Sequence, residues 1–174
     1  MTGSEKMDGR ILVAYASRAG ATEGVAEAVA QTLRDSGAEV DVRKAKDVVD
    51  VSRYRAVVVG SAIYAGQLMG PVKKLVQRHQ AALRQMPVAL FVVCLTMKDP
   101  TEENCRLVEA YLDPLREVVA PVSEGLFAGA LNYRRLNFLF RFIIKRMGAE
   151  EGDYQQWEAI RHWAEELAPM LGSG

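Results

Sequence analysis

The chain has 174 residues, which fits one domain, since domains commonly run to about 100–200 residues. Hydrophobic residues make up 49% and charged residues 25%, a globular balance that excludes a disordered chain. Lys plus Arg and Asp plus Glu number 22 each, for a formal charge of 0, so the overall basic footprint of a nucleic-acid binder is missing.

Ile11, Leu12, Val13, Ala14 and Tyr15 form an almost wholly apolar run after a polar start. It reads as a strand buried on both faces. A small, glycine-containing segment follows at 17–22. Val25, Val29 and Leu33 then recur every four residues beside Ala26 and Ala30, a helical spacing closed by Gly37. Residues 38–43 alternate apolar and charged side chains, as a strand nearer the sheet edge does. Residues 56–60 are a second buried strand, and a loop at 61–70 leads to Pro71, suited to a first helical turn. That helix carries Val72, Leu75, Val76 and Leu83.

Residues 87–95 read as a third buried strand. Residues 101–119 read as a helix that Pro114 must kink or break. A strand containing Gly125 and Gly129 is expected within 121–131, and an apolar-rich helix at 136–147. The last helix, 154–171, has Trp157, Ile160, Ala164 and Leu167 on one face. Strands alternating with helices predict an α/β parallel sheet covered on both faces. No repeat or linker divides 1–174, so a single domain is expected, with an ordered core at about 10–171 and loose ends.

Ligands of open parallel sheets bind beyond the carboxyl ends of the strands, where strand order reverses. The candidate loops are therefore 17–22, 61–70 and 95–100. In the first, Ser17 and Thr22 offer hydroxyl donors and Gly20 allows close backbone approach. The helix starting at about Gly20 or Ala21 points amides and a positive dipole end at the loop. The segment is neither G-x-G-x-x-G nor G-x-x-x-x-G-K-[ST], which argues against a dinucleotide pyrophosphate and against ATP or GTP. A seat for one phosphate group and a plain strand-to-helix turn with a capping hydroxyl both remain open. The second loop, Ser61, Ala62, Ile63, Tyr64, Ala65 and Gly66, mixes small residues with one aromatic ring. Such a loop can lie along a flat ligand, with Tyr64 stacked on it; the alternative is that Tyr64 packs on its own helix. Gly66 can take backbone angles closed to other residues, turning a peptide group toward a redox-active nitrogen.

A strand, S-R-A-G-A-T, a helix, then a strand with G-S-A-I-Y-A-G resembles the flavodoxin-like FMN-binding proteins over about 11–171. The resemblance implies a three-layer sandwich around a five-stranded parallel sheet of order 2-1-3-4-5. It implies that Ser17, Arg18, Ala19, Gly20, Ala21 and Thr22 hold the FMN phosphate. Ser61, Ala62, Ile63, Tyr64, Ala65 and Gly66, with Leu95, Thr96 and Met97, would flank the isoalloxazine ring. The family's phosphate loop has a hydroxyl residue where this chain has Ala19, so backbone amides or Arg18 would compensate.

Arg18 beside Ser17, the segment Phe127-Ala128-Gly129-Ala130-Leu131 before Tyr133-Arg134-Arg135, and Trp157-Glu158 are similar to one subgroup, the quinone-dependent protoporphyrinogen dehydrogenases. The chain is shorter than its best-known members between Met147 and Trp157. This likeness implies an FMN-dependent oxidoreductase of porphyrin biosynthesis that passes electrons from a porphyrinogen to a quinone, with hydride or electron transfer at the flavin N5. No side chain stands out as a catalytic acid or base, so the chemistry falls to the cofactor. An electron-shuttle flavodoxin and an NAD(P)H:quinone reductase are the alternatives. A shuttle is expected to be strongly acidic for docking on basic partners, which this chain is not.

An added apolar-basic segment is expected at about 132–152. Between Arg134 and Arg146 there are five basic residues and no acid. On a helix Arg134, Asn137, Arg141 and Lys145 line one stripe, beside an apolar face that includes Leu136, Leu139, Phe140 and Ile143. Three readings stay open: a core helix with a solvated basic edge, a lid over an apolar anionic substrate, and a membrane-surface helix reaching a lipid quinone. Tyr133, Arg134, Arg135 and Arg141 are the candidate substrate contacts, the arginines for the carboxylates.

Cys94 and Cys105, with His79 and His162, have neither disulfide-framework nor zinc spacing, so no metal is expected. Both cysteines read as inert, Cys94 as packing in a buried strand, although Cys105 near a helix start could be more acidic. The first ten residues lack the apolar run of a secretory signal, and the apolar-rich stretch 86–97 is short of the roughly 20 residues that span a bilayer. A cytoplasmic protein is expected, with peripheral contact at the inner face of the membrane through 134–147.

Overall fold

The computed structural model describes residues 9–18, 20–128, 130–131, 152–153 and 157–172. Strand β1 (Ile11–Ala16) is buried at all six positions because it has a parallel partner on each side and helices on both faces. Ile11 pairs with Val40 of β2 (Val40–Lys44) and with Ala56 of β3 (Ala56–Tyr64). Beyond β3 lie β5 (Val88–Val93) and β6 (Ser123–Phe127), also parallel, giving the order β2-β1-β3-β5-β6. Counting only these strands, the order is the expected 2-1-3-4-5.

Alternation along each strand splits the core in two. Ile11, Val13 and Tyr15 face helix α1 (Ala21–Asp35) and helix α6 (Trp157–Met170). Leu12, Ala14 and Ala16 face the other layer, which includes α2 (Gly70–Arg78), α3 (Gln80–Leu83), α4 (Glu102–Ala110) and α5 (Asp113–Arg116). The edge strand β2 has one buried residue, Val40, and ends on exposed Arg43 and Lys44.

Three expectations about elements need correction. First, 61–64 is not loop but the continuation of β3. Ala65 (φ 51°) and Gly66 (φ 74°) form a two-residue turn, and the chain folds back as β4 (Gln67–Leu68), antiparallel to β3. Two successive positive φ values match the twist of a hairpin. The sheet thus has six strands rather than five.

Second, the helix expected at 71–83 divides, whereas that at 101–119 breaks as its proline requires, between α4 and α5. His79 (φ −109°, ψ 21°) separates α2 from α3. Pro114 falls in the first turn of α5, where its missing N–H costs no helical bond. The Thr101 hydroxyl accepts from the Asn104 amide at 3.1 Å and caps α4.

Third, Trp157 is 38% exposed, whereas Ile160, Ala164 and Leu167 are buried. The tryptophan that packs is Trp163, edge-on to Phe91 and Phe127 at centroid distances of 6.1 and 5.6 Å. Its Nε1–H donates to Ser123 Oγ at 2.9 Å, tying α6 to β6. Ser123→Ala removes this acceptor and is expected to cost about 1 kcal/mol, a fall of roughly 2–4 °C in Tm for a protein of this size. Thermal unfolding followed by circular dichroism checks it.

The short strands β7 (Ala130–Leu131) and β8 (Gly152–Asp153) pair antiparallel. The helix expected at 136–147 lies outside the described residues.

Candidate functional site

The loop between β1 and α1 is shaped by Gly20. It sits at φ 88°, ψ −7° as the N-cap of α1, a left-handed conformation that glycine adopts without strain. Its N–H donates to Ser17 Oγ at 2.9 Å, which draws the loop tight. With glycine as N-cap, no cap side chain bonds the start of this 15-residue helix, whose dipole favours an anion. Thr22, one residue into the helix, is fully buried, and among the described residues its Oγ1 has no hydrogen-bond partner. Buried hydroxyls are almost always paired. An orphaned donor here fits a site built for an acceptor-rich group such as phosphate. Ala19 lies outside the described residues.

Ser17, Arg18 and Gly20 line a cleft of about 310 Å³. Lys44, Ala45 and Lys46, at the end of β2 and the start of the following 3₁₀ turn (Ala45–Asp47), line it too, as do Met69 and Pro71 at the start of α2. Glu23 contributes the one carboxylate of the lining, and Tyr15 stands beside it. Burial, then the Glu23 charge, push the Tyr15 hydroxyl above its usual range, so it stays a neutral donor at physiological pH. The exposed Arg18 side chain leaves the loop, and its guanidinium carbon lies 3.9 Å from the Tyr64 ring centroid, a cation–π contact.

The other two loops divide by role. Ser61 is 1% exposed; its Oγ accepts from the Met69 amide at 2.9 Å and donates to the Ala62 carbonyl at 2.7 Å. It therefore holds the base of the hairpin instead of reaching outward. Ala62 and Ile63 are half-buried, and Tyr64, Ala65 and Gly66 are exposed at the tip. Tyr64 packs neither on its own helix nor on a core residue but under Arg18. After β5 the chain makes a 3₁₀ turn (Leu95–Lys98) in which Leu95 is exposed, Thr96 half-buried, and Met97 buried in the core. Tyr64 and Leu95 are thus the large side chains these two loops leave open to a ligand.

The structure brings Ser17, Arg18 and Gly20 together with Lys44 and Lys46, which are not among the residues that sequence reasoning selects. A signal exists, since two lysines bracket the end of the second strand. The rule that ligands bind where strand order reverses points elsewhere, to the loops after the central strands. Tyr133, Arg134, Arg135 and Arg141 lie outside the described residues. Among the described residues no helix is long and apolar enough to cross a membrane.

A family model described as a flavodoxin domain matches residues 12–157. The chain is 30% identical to protoporphyrinogen IX dehydrogenase (quinone) of Leishmania major, over 92% of this chain and 75% of that protein. It is 27% identical to the Escherichia coli K12 protein of the same name, over 92% of this chain and 96% of that one. Among solved structures, an archaeal flavodoxin superposes with a TM-score of 0.58 at 17% identity, covering 94% of this chain and 99% of that one. A short-chain flavodoxin associated with a bacterial microcompartment gives a TM-score of 0.63 at 16% identity, with the same two coverages. These structures share the fold, and the family match and the curated relatives carry the class: the chain belongs to the flavodoxin family and is an FMN-dependent oxidoreductase.

Proposed function

We propose that the chain oxidises protoporphyrinogen IX in successive two-electron steps and passes the electrons through FMN to a quinone. The observation that carries this reading is the near full-length similarity to two proteins named for that reaction. FMN supplies the two-electron chemistry; the residues of the chain bind and orient. In this reading loop 17–22 takes the phosphate, through Ser17, the Gly20 turn, the helix dipole and the unpaired Thr22 hydroxyl. The tip 64–66 and Leu95 border the isoalloxazine ring, and their open apolar surfaces suit a broad, flat substrate. Tyr133, Arg134, Arg135 and Arg141 are the proposed contacts to the porphyrinogen, the arginines for its carboxylate arms. Segment 134–147 is the proposed contact with the membrane surface of a cytoplasmic protein. The formal charge of 0 fits a small-molecule enzyme better than a shuttle that docks on basic partners.

The test is anaerobic mixing of the FMN-loaded protein with protoporphyrinogen IX and a soluble quinone, beside a control with free FMN. Porphyrin fluorescence that grows above the control only when quinone is present is the expected result. A flavin-loaded protein that gives no such growth would sink the substrate assignment. Flavin bleaching by NADPH would then point to a quinone reductase, and its absence to a shuttle.

A further inference from the structure

The phosphate seat has a cationic wall that the loop does not provide. In this cleft Arg18, Lys44 and Lys46 stand with a single carboxylate, Glu23. Arg18 is the loop's own cation, but its guanidinium is stacked on Tyr64. Lys44 and Lys46 are exposed, and among the described residues neither forms an ion pair. They come from the end of β2 and the 3₁₀ turn after it, and reach the loop only because β2 lies parallel beside β1, with Tyr15 level with Lys44. The cleft lining therefore holds three cations to one carboxylate, with Glu27 and Asp47 acting more weakly on its Tyr15, beside a helix start whose glycine N-cap makes no side-chain hydrogen bond.

We propose that Lys44 and Lys46 bind the phosphate ester of the cofactor by charge, supplying from β2 the attraction that a hydroxyl at position 19 would otherwise contribute. The inference rests on the reading that loop 17–22 is the phosphate seat. A phosphate monoester carries close to two negative charges at neutral pH. Two cations near it, in a cleft that keeps some solvent away, contribute attraction that ordinary salt only partly screens, because the Debye length is about 10 Å at 0.1 M. The affinity of this protein for FMN should therefore depend on ionic strength, and the affinity for riboflavin, which lacks the phosphate, should not.

The experiment titrates FMN and riboflavin, by quenching of flavin fluorescence, into the full chain stripped of flavin. Wild type is compared with Lys44→Gln/Lys46→Gln at about 0.01 M and about 1 M salt, where the Debye lengths are about 30 and 3 Å. The double variant is expected to bind FMN about 30-fold more weakly than wild type at low salt and within about threefold of it at high salt, and to bind riboflavin equally well. Lys44→Arg/Lys46→Arg is expected to restore most of the loss. Equal FMN affinity of wild type and the Gln variant at low salt overturns the proposal, as does an equal loss for riboflavin, which would mark a structural role. Should the double variant fail to fold, Lys46→Gln alone carries the same comparison, with a loss of about fivefold expected and no loss overturning it. Wild type that binds FMN no better than riboflavin would instead overturn the parent reading of the loop.

Discussion

Thr22→Val is expected to raise the stability of the flavin-free protein while weakening FMN binding. The two effects have one cause. Thr22 is fully buried and, among the described residues, its Oγ1 lacks a partner. An unpaired buried hydroxyl costs about 1–3 kcal/mol, and valine fills the same volume with a methyl group. The flavin-free variant should therefore gain at least about 1 kcal/mol, a rise of roughly 2–4 °C in Tm. If the hydroxyl donates to the cofactor phosphate, its loss removes a hydrogen bond to a charged group, worth about 1.5–3 kcal/mol. That is a roughly 10- to 150-fold rise in the Kd for FMN, with riboflavin less affected. Thermal unfolding without flavin and fluorescence titration with flavin measure the two halves separately. Unchanged FMN affinity in a stabilised variant would show that Thr22 is buried away from the cofactor.

The second large effect concerns packing. Gly60→Ala should destabilise the fold by about 3 kcal/mol or more, a fall of roughly 6–12 °C in Tm. Gly60 pairs with Phe91 across β3 and β5, and the Phe91 ring lies over it. A Cβ at position 60 would sit 2.0 Å from Phe91 Cζ and 2.4 Å from both Cε atoms. The ring cannot easily retreat, because Phe127 and Trp163 pack against it at 6.3 and 6.1 Å. Gly70→Ala is the control: nothing lies within 4 Å of its added methyl, and alanine is the better helix former. A Gly60→Ala protein that melts within about 2 °C of wild type would mean that the aromatic cluster is softer than close packing implies. Because Ser61 and the hairpin follow Gly60 directly, the same substitution should also disturb FMN binding.

Much of the frame is legible from local pattern. The runs at 11–15, 56–60 and 88–93 are short, apolar at consecutive positions and rich in valine, which suits a strand covered on both faces. The spacing of Val25, Val29 and Leu33, with Gly37 behind it, is enough to mark α1. The hairpin is not legible, because Ala65-Gly66 lacks the Asn-Gly or Asp-Gly pair that announces such turns. Cross-strand pairing of Tyr64 with Gln67 holds Ala65 at a φ that alanine rarely adopts. Nor can periodicity choose between the tryptophans. Trp157 shares the stripe of Ile160, Ala164 and Leu167, but it stands at the exposed start of the helix. Trp163 meets the rings of Phe91 and Phe127 beside Gly125, where an added Cβ would lie 3.1 Å from the indole.

For the site, the chemistry of each loop is legible residue by residue: a glycine where the backbone must turn, hydroxyls beside a helix start, an aromatic residue after a buried strand. These are properties of neighbouring residues, and short-range sterics and hydrogen bonding set them. Which of these groups share a space depends on how the strands and helices pack. Parallel pairing placed Lys44 and Lys46 on the same cleft as Ser17, although more than twenty residues separate them. Packing of α1 buried the Thr22 hydroxyl without a partner, and the approach of two loops set Arg18 on Tyr64. Charge acts through space and not along the chain, so the electrostatic character of the cleft appears only once the strands are in register.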